Sequence, residues 1–174
     1  MIRSDIQKAL ARLDSKLDGH VRLILCGGGA LILAFGSSRG TIDVDVIAPI
    51  PLDKQLREKA IEVASEMNVA ADWLNDDCKG FADYLPNGWK DRLVPIDLGL
   101  KNISLFSLGK PDLIMLKLAA GRERDLADIE LLGMTREDAD IIYRGLKQIG
   151  RFDGKAALRI KYLLEESGFH DGST

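Results

Sequence analysis

Little in this chain speaks for cross-linking. Its two cysteines, Cys26 and Cys78, lie far apart with no Cys or His partner at metal-ligand spacing, which excludes a disulfide framework and a structural zinc site and fits a reducing compartment. Membrane signals are missing too. No apolar run approaches the length that crosses a bilayer, and Met1-Ile2-Arg3-Ser4-Asp5 does not open a signal peptide, so the expected location is the cytoplasm, with no membrane partner. Histidine is scarce: His20 and His170 stand near the ends, suit neither a catalytic triad nor a zinc centre, and are expected on the solvated surface. An excess of positive charge is also lacking. Lys and Arg number 24 against 27 Asp and Glu, a net charge of -3, which argues against a general binder of duplex nucleic acid and leaves room only for a local basic patch. What remains is 174 residues with 46% hydrophobic content, enough to bury a core as one domain with a helical extension.

The pattern along the chain is mixed. Ser4 followed by Gln7 predicts a capping box, and Ile6, Leu10, Leu13 and Leu17 predict an amphipathic helix that stops at Gly19. Val21 to Leu25 reads as a strand, Cys26-Gly27-Gly28-Gly29 as a turn, and Ala30 to Phe35 as a short buried helix. A second strand is expected over Ile42 to Ile47, a helix capped by Asp53 and running to Met67, and a third strand over Val69 to Leu74. From Asn75 to Asp91 periodicity dissolves, which suggests a functional loop. Its neighbourhood holds Trp73, Phe81, Tyr84 and Trp89, placed either as a base-stacking surface or as loop anchors. Arg92 to Leu98 and Ile103 to Leu108 predict a hairpin, and after Pro111 the chain is helical: Asp112 to Ala120, a possible break at Gly121, Arg124 to Leu132, Arg136 to Gln148 and Lys155 to Glu166. Neither internal repeats nor low-complexity segments occur. This order predicts an α+β fold with a core over residues 1–110 and a helical part over 111–174 packed on it as one unit.

Chemistry concentrates at two places. Alternation puts Asp43 and Asp45 on one face of a strand, roughly 7 Å apart between Cα atoms, with Ile42, Val44 and Val46 on the other face. Two such carboxylates repel unless a cation or basic group intervenes, and hard oxygen ligands suit Mg²⁺ or Mn²⁺ bridging to substrate phosphates. The plainer alternative is an exposed edge-strand face. Gly27, Gly28 and Gly29 sit between a strand and a helix, where backbone N–H groups approach phosphate oxygens; the plainer alternative is a tight turn. Other phosphate motifs fail on spacing. A dinucleotide fingerprint from Gly27 needs glycine where Ile32 stands, and no Gly-Lys-Ser/Thr exists for a P-loop. In the second place, a helix continuing through Gly121 would set Lys117, Arg124, Asp125 and Asp128 on one side among Leu113, Leu116, Leu126 and Ile129.

Taken together, a strand, the Gly28-Gly29 turn, a short helix within a gap of thirteen residues after Gly29, and then Asp43-Val44-Asp45 resemble the polymerase-β-like nucleotidyltransferase superfamily. Arg39-Gly40-Thr41 and the run Lys117-Leu118-Ala119-Ala120-Gly121-Arg122-Glu123-Arg124-Asp125-Leu126-Ala127-Asp128 look like the nucleotidyltransferase-like proteins related to abortive-infection and toxin-antitoxin toxins. The likeness covers about residues 21 to 132.

The resemblance implies a nucleotidyltransferase-like mixed sheet and a metal-dependent transfer of a nucleoside monophosphate from a nucleoside triphosphate to an RNA, protein or small-molecule acceptor. In that family two metal ions act, one on the attacking hydroxyl and one on the pyrophosphate leaving group. Asp43 and Asp45 match the metal ligands, with the third expected at Asp72 in preference to Asp97. Gly27, Gly28, Gly29, Arg39, Thr41 and Arg124 are the candidate nucleotide-binding residues. Lys117 is expected at the triphosphate and Asp125 at the acceptor, against the alternative of a salt-bridged structural face. A toxin role would add an antitoxin as partner. A second class of function is a non-catalytic nucleotide- or protein-binding module on the same fold. A third is a structural subunit whose acidic strand pairs with a basic partner.

Overall fold

The computed structural model describes residues 1–171. They form two compact units, the first from Met1–Gly80 with Leu93–Leu108, the second from Phe81–Arg92 with the chain from Gly109 onward.

The first unit is a mixed sheet with helices. The strands β1 (Val21–Cys26), β2 (Val44–Ala48), β3 (Leu74–Asn75), β4 (Val94–Ile96) and β5 (Ile103–Ser107) lie in the order β3-β2-β1-β5-β4. Here β1 runs parallel to β5 and antiparallel to β2, β2 is parallel to β3, and β4 and β5 form the expected antiparallel hairpin. The helices α1 (Arg3–Lys16), α2 (Gly27–Ala34) and α3 (Lys54–Met67) complete the unit. One stripe of α1 buries Ile6, Leu10 and Leu13, and one stripe of α3 buries Leu56, Ala60 and Val63. Each fully buried Leu or Ile side chain contributes about 1.5–3 kcal/mol, so these stripes and the strand residues Leu23, Leu25, Val44 and Val46 hold the unit.

A buried carboxylate closes the β4–β5 turn. Asp14 of α1 accepts hydrogen bonds from the backbone N–H groups of Lys101, Asn102 and Ile103 at 3.1, 2.7 and 2.9 Å. Three such bonds satisfy a charge that would otherwise be costly to bury.

Several local expectations need correction. The start of α1 is not capped by Ser4; the Ile2 N–H donates to Asp5 Oδ2 at 3.0 Å, which does the capping work one turn in. The glycines are not a loop between β1 and a later helix, because Gly27 to Gly29 are already the first turn of α2. Ile42 does not fill the core and is 76% exposed, since β2 begins only at Val44. No strand forms over Val69 to Trp73. Asn68, at φ 53°, ends α3 in the left-handed conformation, and turns carry the chain to the two-residue β3. Much of the expected irregular loop is two 3-10 segments, Asp77–Tyr84 and Trp89–Arg92.

The second unit is helical: α4 (Lys110–Ala120), α5 (Glu123–Leu132), α6 (Arg136–Ile149) and α7 (Gly154–Glu166). Because α4 is buried on all sides from Pro111 to Ala119, it is the element that the other three pack around. The helix breaks at Gly121, whose φ of 62° caps α4, so no single helix runs from Lys117 to Asp128. Buried Asp112 at its start is held by a two-pronged contact from Arg92, with Nε to Oδ2 at 3.0 Å and Nη2 to Oδ1 at 2.6 Å. Tyr84 anchors its own segment, stacking edge-on to Phe152 at 5.3 Å and donating from its hydroxyl to Asp153 Oδ2 at 2.7 Å. Trp73, in the first unit, is fully buried and donates to the Ala60 carbonyl. These two aromatics therefore act as anchors. Neither Cys26 nor Cys78 forms a disulfide, and His20 and His170 are exposed.

Candidate active site

The acidic site is built by contact between a helix start and a strand. The antiparallel register sets Asp45 directly opposite Cys26, the residue that enters α2. A Cβ on Gly27 would run into Asp45 Oδ2, and the φ of +67° is itself one that side-chain-bearing residues avoid. At Gly28 a Cβ would stand 2.5 Å from Thr41 Oγ1, and at Gly29 3.2 Å from Val44 Cγ1. Only a glycine run lets α2 begin this close to the strand that carries the aspartates. The consequence is a carboxylate and a hydroxyl resting on the N-terminal turn of a helix, where the backbone partial charge is positive.

Asp43 lies just ahead of β2 and is half-buried. The Thr41 hydroxyl donates to its carbonyl at 3.0 Å and reaches its Oδ1 at 3.5 Å, while Asn75 Nδ2 stands 3.4 Å from its Oδ2. All of these partners are neutral. Asn75 is buried, pairs in register with Asp45 on the parallel strand, and receives the Asp77 N–H on its Oδ1 at 2.9 Å. The amide thus occupies the β3 position next to Asp45.

The residues expected as a third ligand are Asp72 and Asp97. Asp72 is exposed in the turn before β3, its carbonyl accepting from Asn75 Nδ2 at 3.3 Å. Asp97 follows β4 at the opposite edge of the sheet, where its Oδ1 accepts from the Gly99 N–H. Among the described residues no group of three or more His, Cys, Asp or Glu side chains is arranged to hold a metal. Arg39 is exposed on the loop between α2 and β2, its N–H donating to Ser37 Oγ.

The second cluster is an ion-pair set inside the helical unit. Although α4 ends at Gly121, the chain folds back so that Lys117 Nζ meets Asp128 Oδ2 at 2.7 Å and Asp125 Oδ1 at 3.4 Å. Lys117 is 6% exposed and Asp125 1%. Arg122 completes the set, its Nε on Asp125 Oδ2 at 2.8 Å and its backbone N–H on the same oxygen at 3.2 Å. Burial works against the Asp125 charge, but the hydrogen bond from Arg122 and the charges of Lys117 and Arg122 outweigh it and hold the carboxyl below its ordinary pKa. Arg124 is not part of the cluster. It lies on the exposed side of α5, so the arginine beside Asp125 is Arg122.

The sequence-predicted residues therefore fall into two groups, Gly27, Gly28, Gly29, Thr41, Asp43 and Asp45 in the first unit and Lys117 and Asp125 in the second. Sequence reasoning missed two participants. Asn75 gives no local signal, because its burial depends on pairing with β2. Arg122 could have been found from its place three residues before Asp125 at a helix start, where a side chain and a backbone N–H both reach the acid.

Comparison with known families gives one finding: residues 4–142 match a family described as nucleotidyltransferases of unknown function (DUF6036). No curated protein matches the chain. No solved structure matches it either.

Proposed function

We propose that this chain, which belongs to that family of nucleotidyltransferases, moves a nucleoside monophosphate from a nucleoside triphosphate to an acceptor hydroxyl in a metal-dependent reaction. The observation that carries this reading is the seating of Asp45 and Thr41 on Gly27 and Gly28, with Asp43 alongside. It gathers two hard-oxygen ligands and a set of backbone N–H donors at one point.

The donor set fits a small divalent cation. Mg²⁺ is commonly held by one or two carboxylates, with water and substrate phosphates in its other positions, so Asp43 and Asp45 suffice for Mg²⁺ or Mn²⁺ arriving with the triphosphate. When bound, such an ion offsets phosphate charge and favours departure of pyrophosphate. The chain's own part is orientation. The α2 N–H groups face phosphate oxygens, Thr41 and Asn75 fix the Asp43 carboxylate, and Arg39 adds a positive charge from the loop. As the acceptor oxygen bonds to the α-phosphorus, the bond to pyrophosphate breaks and the acceptor proton passes to a carboxylate or to water. The resemblance of the run from Lys117 to Asp128 to that of related toxins is what assigns Lys117 to the triphosphate and Asp125 to the acceptor.

The acceptor classes compatible with this chemistry are RNA, a protein hydroxyl and a small molecule. The run from Lys117 to Asp128 supports a toxin role, with a separate antitoxin as partner. Cytoplasmic residence completes the reading; among the described residues no helix is long and apolar enough to cross a membrane.

One observation favours a second reading. With Asn75 in the β3 position beside Asp45 and Lys117 already paired with two acids, the fold is also suited to binding a nucleotide or a partner protein without turnover. The deciding experiment incubates the purified chain with Mg²⁺ or Mn²⁺, each labelled nucleoside triphosphate, and total RNA or candidate proteins, beside an Asp43→Ala, Asp45→Ala variant. Label transferred by the wild type alone is the expected result. Metal-dependent nucleotide binding with no transfer from any donor would overturn the enzymatic reading in favour of the second.

A further inference from the structure

The helical unit contains a small cavity that neither the acidic site nor the Lys117 cluster uses. It measures about 210 Å³ and is lined by Pro86, Asn87, Arg92, Ile141, Arg144, Gly145 and Gln148. Gly145 is what lets the Pro86 segment lie against α6, since a Cβ there would stand 2.9 Å from Met115 Cε and 3.2 Å from Pro86 Cγ.

Two features of the lining point to a ligand. Gln148 Oε1 is buried and, among the described residues, has no hydrogen-bond partner. Its orientation is set by the other end of the amide, where Nε2 donates to the Asp83 carbonyl at 3.4 Å; a flipped amide would press two oxygens together. An acceptor left in this state costs on the order of 1–3 kcal/mol, so a donor belongs opposite it. Arg144 contributes a guanidinium that no carboxylate pairs with among the described residues, its helical neighbour Asp140 being taken by Arg136 at 3.0 Å. The charge of Arg92, by contrast, is already balanced by Asp112.

We propose that this cavity is a binding site for a small organic anion, a carboxylate or phosphate monoester, that also carries a neutral hydroxyl or amide N–H donor. The anion meets Arg144, the donor satisfies Gln148 Oε1, and the carbon skeleton lies on Pro86 and Ile141. A neutral donor is favoured over an ammonium group, which would bring a third positive charge beside two guanidiniums. The volume is below that of pockets that take drug-sized ligands, which restricts the ligand to a few heavy atoms beyond its anionic group. The site is independent of the transferase reading.

The test is titration of the full chain with glycerol 3-phosphate, lactate and inorganic phosphate, followed by calorimetry and by amide NMR shifts. Either organic probe is expected to bind more tightly than inorganic phosphate and to shift Gly145 and Asn87 rather than Gly27 and Gly28. Arg144→Met and Gln148→Met are each expected to weaken binding about ten- to a hundredfold, the loss of one charged or buried hydrogen bond. Arg144 is exposed and unpaired, so its variant folds and keeps the test decisive even if Gln148→Met destabilises the unit. Failure of all three probes to bind at millimolar concentration, or equal binding by wild type and Arg144→Met, overturns the proposal and leaves Gln148 to a water molecule.

Discussion

Asp43 and Asp125 are the same residue type in two unlike settings. Around Asp43 the hydrogen-bond donors are neutral, a hydroxyl from Thr41 and an amide from Asn75, and its carboxylate is half-buried. Around Asp125 they are cationic, Lys117 and Arg122, and its side chain is closed off from solvent. The first arrangement keeps lone pairs for a cation brought by a ligand. The second has its cations built into the fold. Two acidic motifs that look alike on paper thus differ in what they ask of the solution: one should respond to added metal, the other to removal of its internal partner.

The largest effect is expected at the helical cluster. Lys117→Met leaves buried Asp125 and Asp128 without their shared cation, and loss of one partner from a buried ion pair typically costs 3–5 kcal/mol. About 3 kcal/mol is expected in urea unfolding, because Arg122 still holds Asp125; a loss under about 1 kcal/mol would mean that the pair is not truly desolvated. Next comes Gly27→Ala, which forces a Cβ into the Asp45 carboxylate at a positive φ. About 1–2 kcal/mol is expected from the backbone conformation alone, and calorimetry should show weakened Mn²⁺ binding. Unchanged Mn²⁺ affinity would detach the glycine turn from the acidic site.

Acid should also probe the helical cluster. Asp125 has a folded-state pKa below its ordinary value, so its contribution to stability is fully present above the unfolded carboxyl pKa of about 3.9 and is lost as pH falls through the lower folded-state value. Asp76 behaves alike: burial opposes its charge, but Arg57 at 2.8 Å and the Leu52 N–H outweigh that opposition. Urea midpoints measured between pH 5 and pH 2 should fall steeply at the low end, and less steeply in Asp125→Asn; parallel curves would remove Asp125 from the account. The smallest effect belongs to Arg124→Ala. An exposed side chain on the outer side of α5 should change stability by less than about 0.5 kcal/mol, and nucleotide affinity no more than slightly if Arg122 is the arginine that matters.

Those contrasts also show what a sequence reveals. The limits of α3 were legible because its signals are local: Asp53 accepts from the Leu56 N–H at 2.9 Å as its cap, and apolar residues recur every three or four positions. The β4–β5 hairpin was legible for the same reason, whereas at Gly121 the local signal allowed either a break or a continuous helix, and the structure has the break. The acidic site was half legible. Its glycines and aspartates form a recognisable spacing, but that the glycines open the helix itself, and that Asn75 stands beside Asp45, depend on strand pairing across about thirty residues. Val69 to Leu74 misled because apolar content suits a strand, while Asn68 in the left-handed region turns the chain first. Asp14, which ties α1 to the Lys101–Ile103 backbone, has no local signature at all.

The most direct test of the contrast is Mn²⁺ titration, by calorimetry with a nucleoside triphosphate present, of the wild type, Asp43→Asn with Asp45→Asn, and Asp125→Asn. Metal binding abolished in the double variant with its fold intact, and retained by Asp125→Asn, is the predicted result. Retention by the double variant, or loss only in Asp125→Asn, would contradict the assignment of the metal to the strand and its glycine turn.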